Sequence, residues 1–259
     1  MHVIPSTWAM QKKFDASHKL KRRRARLAMR GDRQREGIDY KETFAPTCRF
    51  ETLRLIMYMA VSLGCDVTSV DFHKAFLNGP VEEVIYVSLP QGFVFSRKLK
   101  GLTRWKHVLK LLKAAYGTCQ AARQWFKCVR QLMLDLGFTQ ATSDQCLFVR
   151  FNPLFIVLVW VDDLLCMCPN SKVRDETVKQ MEKVYRLRDE GPVDCFLNVQ
   201  FEIKGDELTM TQEHYIESML KRFGMEECNA VKIPMPPNLD MKTRLSIRVV
   251  GIVQTFEGS

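Results

Sequence analysis

CLFVRFNPLFIVLVWVDDLLCM, residues 146–167, reads as a strand, a turn, a second strand and a second turn that bears two carboxylates. Cys146 to Phe151 is rich in strand formers, Asn152-Pro153 is turn chemistry, and Leu154 to Val161 is an unbroken apolar run of eight residues. Asp162-Asp163 interrupts that run, which resumes through Leu164 to Met167, so the pattern predicts a hairpin with acids at its tip. Burying an unpartnered carboxylate costs several kcal/mol, and strands seldom carry two in a row unless something cationic neutralises them. Neighbouring residues of a regular strand face opposite ways, so both acids serve one site only at a tight turn. A plain solvated Asp-Asp turn is the alternative, and the hydrophobic flanks weigh against it.

Working outward, apolar residues recur at helical spacing from Phe50 to Leu63, ahead of Gly64. Asp66 to Phe72 reads as a strand, Lys74 to Asn78 as a short helical turn before Asn78-Gly79, and Val84 to Leu89 as an extended piece ending at Pro90. Ala121 to Leu136 has helical composition, with Gly137 where a C-terminal cap belongs. Ser171 to Leu187 is a charged amphipathic helix, Phe196 to Ile203 and Leu208 to Met210 form a hairpin, and Thr211 caps a helix to Phe223, closed by Gly224. Leu239 to Ser259 has no amphipathic period and reads as a tail. Strands with antiparallel hairpins and helices on one side predict an α+β sheet domain.

Asp71 ends its strand just before a turn. Alone it reads as a turn or capping residue; beside the Asp162 hairpin it completes a group of three acids. Like charges that close repel, and the cluster then requires divalent metal. All-oxygen donors suit Mg²⁺, with Mn²⁺ as substitute, better than zinc. Two ions roughly 4 Å apart would suit phosphoryl transfer.

The chain of 259 residues is 46% hydrophobic and 26% charged, enough to bury a core. The longest apolar run falls well short of the roughly 20 residues of a membrane span, and the first residues lack a signal-peptide core, so an intracellular protein is expected. Nine cysteines with no CxxC pair argue for reduced thiols, Cys166 and Cys168 sharing one strand face. The net charge of +10 concentrates in Lys19, Lys21, Arg22, Arg23, Arg24, Arg26, Arg30, Arg33 and Arg35. That stretch is either a solvated arm or localisation signal, or a surface for nucleic acid.

Seven ordered blocks, DYKETFAPTCRFETLR, VDFHKAFLNG, IYVSLPQGF, AAYGTCQAARQWF, SDQCLFV, VWVDD and LTMTQEHYIESMLKRFGM, resemble the reverse transcriptase of copia-type long-terminal-repeat retrotransposons. The likeness runs from about Ile4 to Pro236. It implies a right-hand polymerase: fingers and palm over 1–203, a thumb-like segment over 204–238, and an unrelated tail over 239–259. It further implies metal ligation and catalysis by Asp71 and Asp162, with Asp163 contributing more weakly. Phe76 would lie beneath the incoming sugar and exclude a ribose 2′-hydroxyl, or else be core. Gln120 would line the nucleotide pocket, or else be exposed. Backbone N–H groups just after Asp71 could hold the triphosphate. Arg24, Arg26 and Arg30 fall in the fingers and would face triphosphate or template phosphate, and Trp8 and Lys12-Lys13 would begin the same hairpin.

The resemblance also implies an RNA or DNA template with primer, deoxynucleoside triphosphates, and a parent polyprotein with integrase and RNase H. A cytoplasmic virus-like particle, with possible nuclear entry, is the implied location. Several positions depart from the family pattern: Trp160 for tyrosine, Thr118 and Cys119 for leucine and lysine, His73 for valine or isoleucine, and Asn198 for glycine. With no family likeness after Lys242, they suggest a polyprotein fragment. The alternatives to a working polymerase are an inactive nucleic-acid-binding relic and a two-metal hydrolase.

Overall fold

A computed structural model describes residues 2–14, 20–93, 107–205 and 207–229. The chain divides into two units, Met1–Thr211 and Gln212–Ser259. The first begins with β1 (Val3–Ile4), β2 (Ser6–Phe14), β3 (Leu20–Met29), α1 (Phe50–Leu63), β4 (Asp66–Phe72), β5 (Tyr86–Ser88) and β6 (Val108–Lys110). It continues with α2 (Ala121–Asp135), β7 (Thr139–Gln140), β8 (Leu147–Phe151), β9 (Leu154–Trp160), β10 (Asp163–Cys168) and α3 (Ser171–Val184). It closes with β11 (Leu187–Pro192), β12 (Cys195–Phe196), β13 (Val199–Lys204) and β14 (Glu207–Thr211); α4 (Glu213–Arg222) lies in the second unit.

An antiparallel six-stranded sheet in the order β11-β4-β10-β9-β8-β7 carries the core. Its central strands β9 and β10 are buried on both faces, which is why they read as continuous apolar runs and not as alternation. Trp125 of α2 stacks edge-on against Phe72, and Arg174 of α3 donates to Thr68 Oγ1, so both helices pack on the face that holds Phe72 and Thr68. The β2–β3 pair forms a separate ribbon; Met29, at its base, joins Ile4, Ile85, Val87 and Ala115 in a second small core.

Local chemistry sets the boundaries. Gly64 ends α1 in the left-handed region at φ 61°. At the other end, buried Asp144 accepts from the Arg49 N–H, the Thr52 hydroxyl and the Cys146 N–H, tying the start of α1 to the start of β8. Five of the nine thiols are buried, Cys166 and Cys168 among them, whereas Cys195 and Cys228 are exposed.

Three expectations are corrected. The helix from Ser171 stops at Val184, and residues 187–192 form the edge strand β11, whose polar LRDEGP composition and register shift at Asp189/Gly191 hide it from a periodicity reading. Phe196 to Ile203 is two strands, because Leu197 and Asn198 both take positive φ (54° and 60°) and turn the chain into a hairpin. Thr211 pairs with Gln200 in β14 and does not cap α4, which begins after Gln212. The tail 239–259 lies outside the described residues, as does Lys19. Among the described residues no helix is long and apolar enough to cross a membrane.

Candidate active site

The hairpin predicted from residues 146–167 is present, and strand pairing sets what lies beside its tip. Asp163 opens β10 directly opposite Asp71 of β4, and it also pairs with Trp160 of β9. Arg188 of β11 stands opposite Asp71 on the other side. Directly opposed residues share a sheet face. Trp160, Asp163, Asp71 and Arg188 therefore form one row across four strands. Asp162 lies in the two-residue turn, and its carbonyl accepts the Phe72 N–H at 2.8 Å, fixing the turn to the end of β4.

The three acids sense one another. Burial pushes the Asp71 carboxyl above its ordinary range, the Asp162 and Glu190 charges add to that, and Arg188 and His73 oppose it. Asp163 keeps surface open to solvent, yet the protein packed around it, then the charges of Asp162, Asp71 and Glu190, push it up to about 6. Among the described residues, no three His, Cys, Asp or Glu side chains converge closely enough, as placed, to hold an ion. In donor chemistry the set does fit a hard divalent cation: oxygen ligands only, with their negative charge crowded together.

The other candidate residues fall in three places. Arg26 lies over the Tyr116 ring at 5.5 Å, and Tyr116 meets Phe76 edge-on at 5.6 Å, so an arginine and two rings form one stack. Arg24 shares the ribbon face of Arg26, two residues away along β3, and is half-buried. Arg30 is instead engaged by Asp32 in a two-pronged ion pair of 2.8 and 2.6 Å. Phe76 itself is half-buried against the core, which keeps part of the alternative reading.

Gln120 is 1% exposed, and its amide is occupied: it donates to the Asp39 carbonyl and Glu83 and accepts from Gln34. It stands inside the wall, neither on an open pocket surface nor on the exterior. The amides directly after Asp71 are occupied as well. Phe72 donates to Asp162 and His73 to the Arg186 carbonyl, so these two are not the expected phosphate donors.

The ribbon is clamped to the segment before α2. The Met29 N–H donates to the Tyr116 carbonyl at 2.7 Å, and Gly117, at φ 83°, lies so close that a Cβ would collide with the Met29 carbonyl oxygen. Two participants escaped the sequence reading. Arg188 sits in the hidden strand. Trp125, buried at 1% exposure, reads as one more apolar position of α2, yet its indole N–H donates to the Val161 carbonyl in the acidic turn at 2.6 Å. The only sequence signal for it was a polar-tipped ring on a buried helix face, which needs a partner.

Comparison with known proteins identifies the family. The family model described as "Reverse transcriptase (RNA-dependent DNA polymerase)" matches residues 1–237. The "Retrovirus-related Pol polyprotein from transposon TNT 1-94" of Nicotiana tabacum is 34% identical over 244 residues, covering 92% of this chain and 18% of the relative. That from transposon RE1 of Arabidopsis thaliana is 31% identical over 238 residues, covering 91% and 16%. The "Transposon Ty1-ER2 Gag-Pol polyprotein" of Saccharomyces cerevisiae is 23% identical over 238 residues, covering 90% and 12%. The chain thus spans under a fifth of the length of each of these relatives. It belongs to the reverse transcriptase (RNA-dependent DNA polymerase) family, and its relatives are Pol polyproteins of copia-type transposons.

Proposed function

We propose that this chain is the polymerase domain of a copia-type reverse transcriptase, adding deoxynucleotides to a primer on an RNA or DNA template. The observation that carries the reading is the cross-strand pairing of Asp71 with Asp163, with Asp162 in the adjoining turn. In the reaction the primer 3′-hydroxyl attacks the α-phosphate of a deoxynucleoside triphosphate, and pyrophosphate leaves. Asp71 and Asp162 would hold two Mg²⁺ ions, with Asp163 weaker. Once bound, such ions activate the attacking hydroxyl and stabilise the leaving oxygen.

The rest is the work of the chain itself. Arg26, with Arg24 beside it, supplies positive charge toward the triphosphate from the ribbon, and the Tyr116 ring holds its guanidinium in place. Arg30 is the weakest of the three candidates, because Asp32 already engages it. Phe76 offers a ring edge under the sugar, leaving no room for a 2′-hydroxyl. Gln120 acts from behind, tying Asp39, Glu83 and Gln34 into the wall.

In this reading, residues 1–203 are fingers and palm, the β2–β3 ribbon being the fingers, and 204–238 is thumb-like. The parent element would supply integrase and RNase H. Primer extension in Mg²⁺ tests the proposal. Asp162→Asn is expected to abolish extension while leaving primer–template affinity and its salt dependence largely intact; full extension by that variant ends it.

A further inference from the structure

Val161 is the least comfortable residue of the acidic turn. Its φ is 55°, in the left-handed region, where a β-branched side chain is a genuine outlier. The two-residue connection between Trp160 and Asp163 demands positive φ at this point, and Gly, Asn or Asp ordinarily supplies it. Conformations of this kind persist only where the surroundings over-determine them.

Here the surroundings are specific. The Trp125 indole N–H donates to the Val161 carbonyl at 2.6 Å, and the ring is itself locked. It meets Phe72 edge-on at 5.0 Å and Tyr185 edge-on at 5.3 Å, while Phe72 and Tyr185 meet at 6.1 Å. Phe72 in turn donates its N–H to the Asp162 carbonyl. Both carbonyls of the turn are therefore pinned, one by α2 and one by β4, and Phe72 belongs to both restraints. It is also the residue that follows Asp71.

We infer that Trp125 is the positioning residue of the acidic turn: its buried N–H holds Val161 left-handed and so sets where the Asp162 carboxylate stands relative to Asp71. The inference rests on the proposed role of these aspartates. Trp125 touches no substrate. It acts through the peptide group between Val161 and Asp162, much as outer-shell partners orient metal ligands.

Trp125→Phe tests this by removing the donor while keeping an aromatic ring, at the cost of some packing against Phe72 and Tyr185. Two readouts are taken on the full chain. Hydrogen exchange follows the Phe72 amide, which is protected by its bond to Asp162, and electron paramagnetic resonance of free Mn²⁺ measures ion binding without any turnover. Faster exchange at Phe72 and roughly 10-fold weaker Mn²⁺ binding are expected, the lower end for loss of an outer-shell partner. Val161→Gly in the Trp125→Phe background supplies the rescue. Glycine takes positive φ without penalty, so binding and exchange return to within about 2-fold of the parent.

A Trp125→Phe protein with parental exchange at Phe72 and parental Mn²⁺ binding overturns the inference, as does one that melts earlier but binds Mn²⁺ normally per folded molecule. Failure of Val161→Gly to restore either readout overturns it too. If the parent chain binds no Mn²⁺, the proposed metal chemistry fails, and exchange at Phe72 with its glycine rescue still decides whether Trp125 holds the turn.

Discussion

Removing the Asp144 side chain should destabilise the sheet domain while leaving the chemistry of folded molecules alone. The residue is 5% exposed. One oxygen accepts the Arg49 N–H at 2.9 Å and the Thr52 hydroxyl at 2.7 Å; the other accepts the Cys146 N–H at 2.9 Å. Asp144→Ala orphans two backbone donors and a hydroxyl, each worth about 1–3 kcal/mol when left unsatisfied in a buried setting. Water reaches some of them, so a total of about 3–5 kcal/mol is expected, not the full sum.

Asp144→Asn is predicted to be intermediate. Whichever way the amide is flipped, its NH₂ faces one of these donors. For a domain of this size about 1 kcal/mol moves the melting temperature by roughly 2–4 °C, so the alanine variant should melt at least about 6 °C lower. Calorimetry provides the measurement, with primer extension normalised to folded protein as the control. A melting temperature within about 2 °C of the parent would refute the reasoning, since no set of buried charge-assisted hydrogen bonds is that cheap to lose.

Three further outcomes are expected. Gly117→Ala meets both a positive φ of 83° and the Met29 carbonyl, so it should cost about 2 kcal/mol or more and raise the deoxynucleotide concentration for half-maximal extension. Arg174 ties α3 to β11 through Asp189, whose carboxyl the guanidinium holds below the ordinary range. A lowered folded value means stability that is present above the unfolded value near 4 and lost as pH falls; Asp189→Asn should therefore cost about 0.5–1 kcal/mol at neutral pH, and the gap should close in acid melts. With excess thiol reagent under native conditions, Cys195 and Cys228 should label first, while Cys48, Cys146 and Cys166, each pushed up to about 12 by burial, wait for denaturant.

Local pattern alone determined a good deal. The 146–167 stretch declared its hairpin and the place of the acids, and residues 50–63 declared a helix ended by glycine, because period and turn chemistry are properties of neighbouring residues. The edge strand 187–192 was not legible, since its charged residues satisfy solvent and carry no apolar period. Nor was the side-chain setting of Gln120, whose partners Gln34, Asp39 and Glu83 come from distant segments.

Only the tertiary structure decided that Asp71 stands opposite Asp163 and that Trp125 reaches the turn. Strand order is chosen by the packing of whole faces, which no window along the chain contains. The acids were written into the sequence; their meeting was a consequence of β4 inserting between β10 and β11.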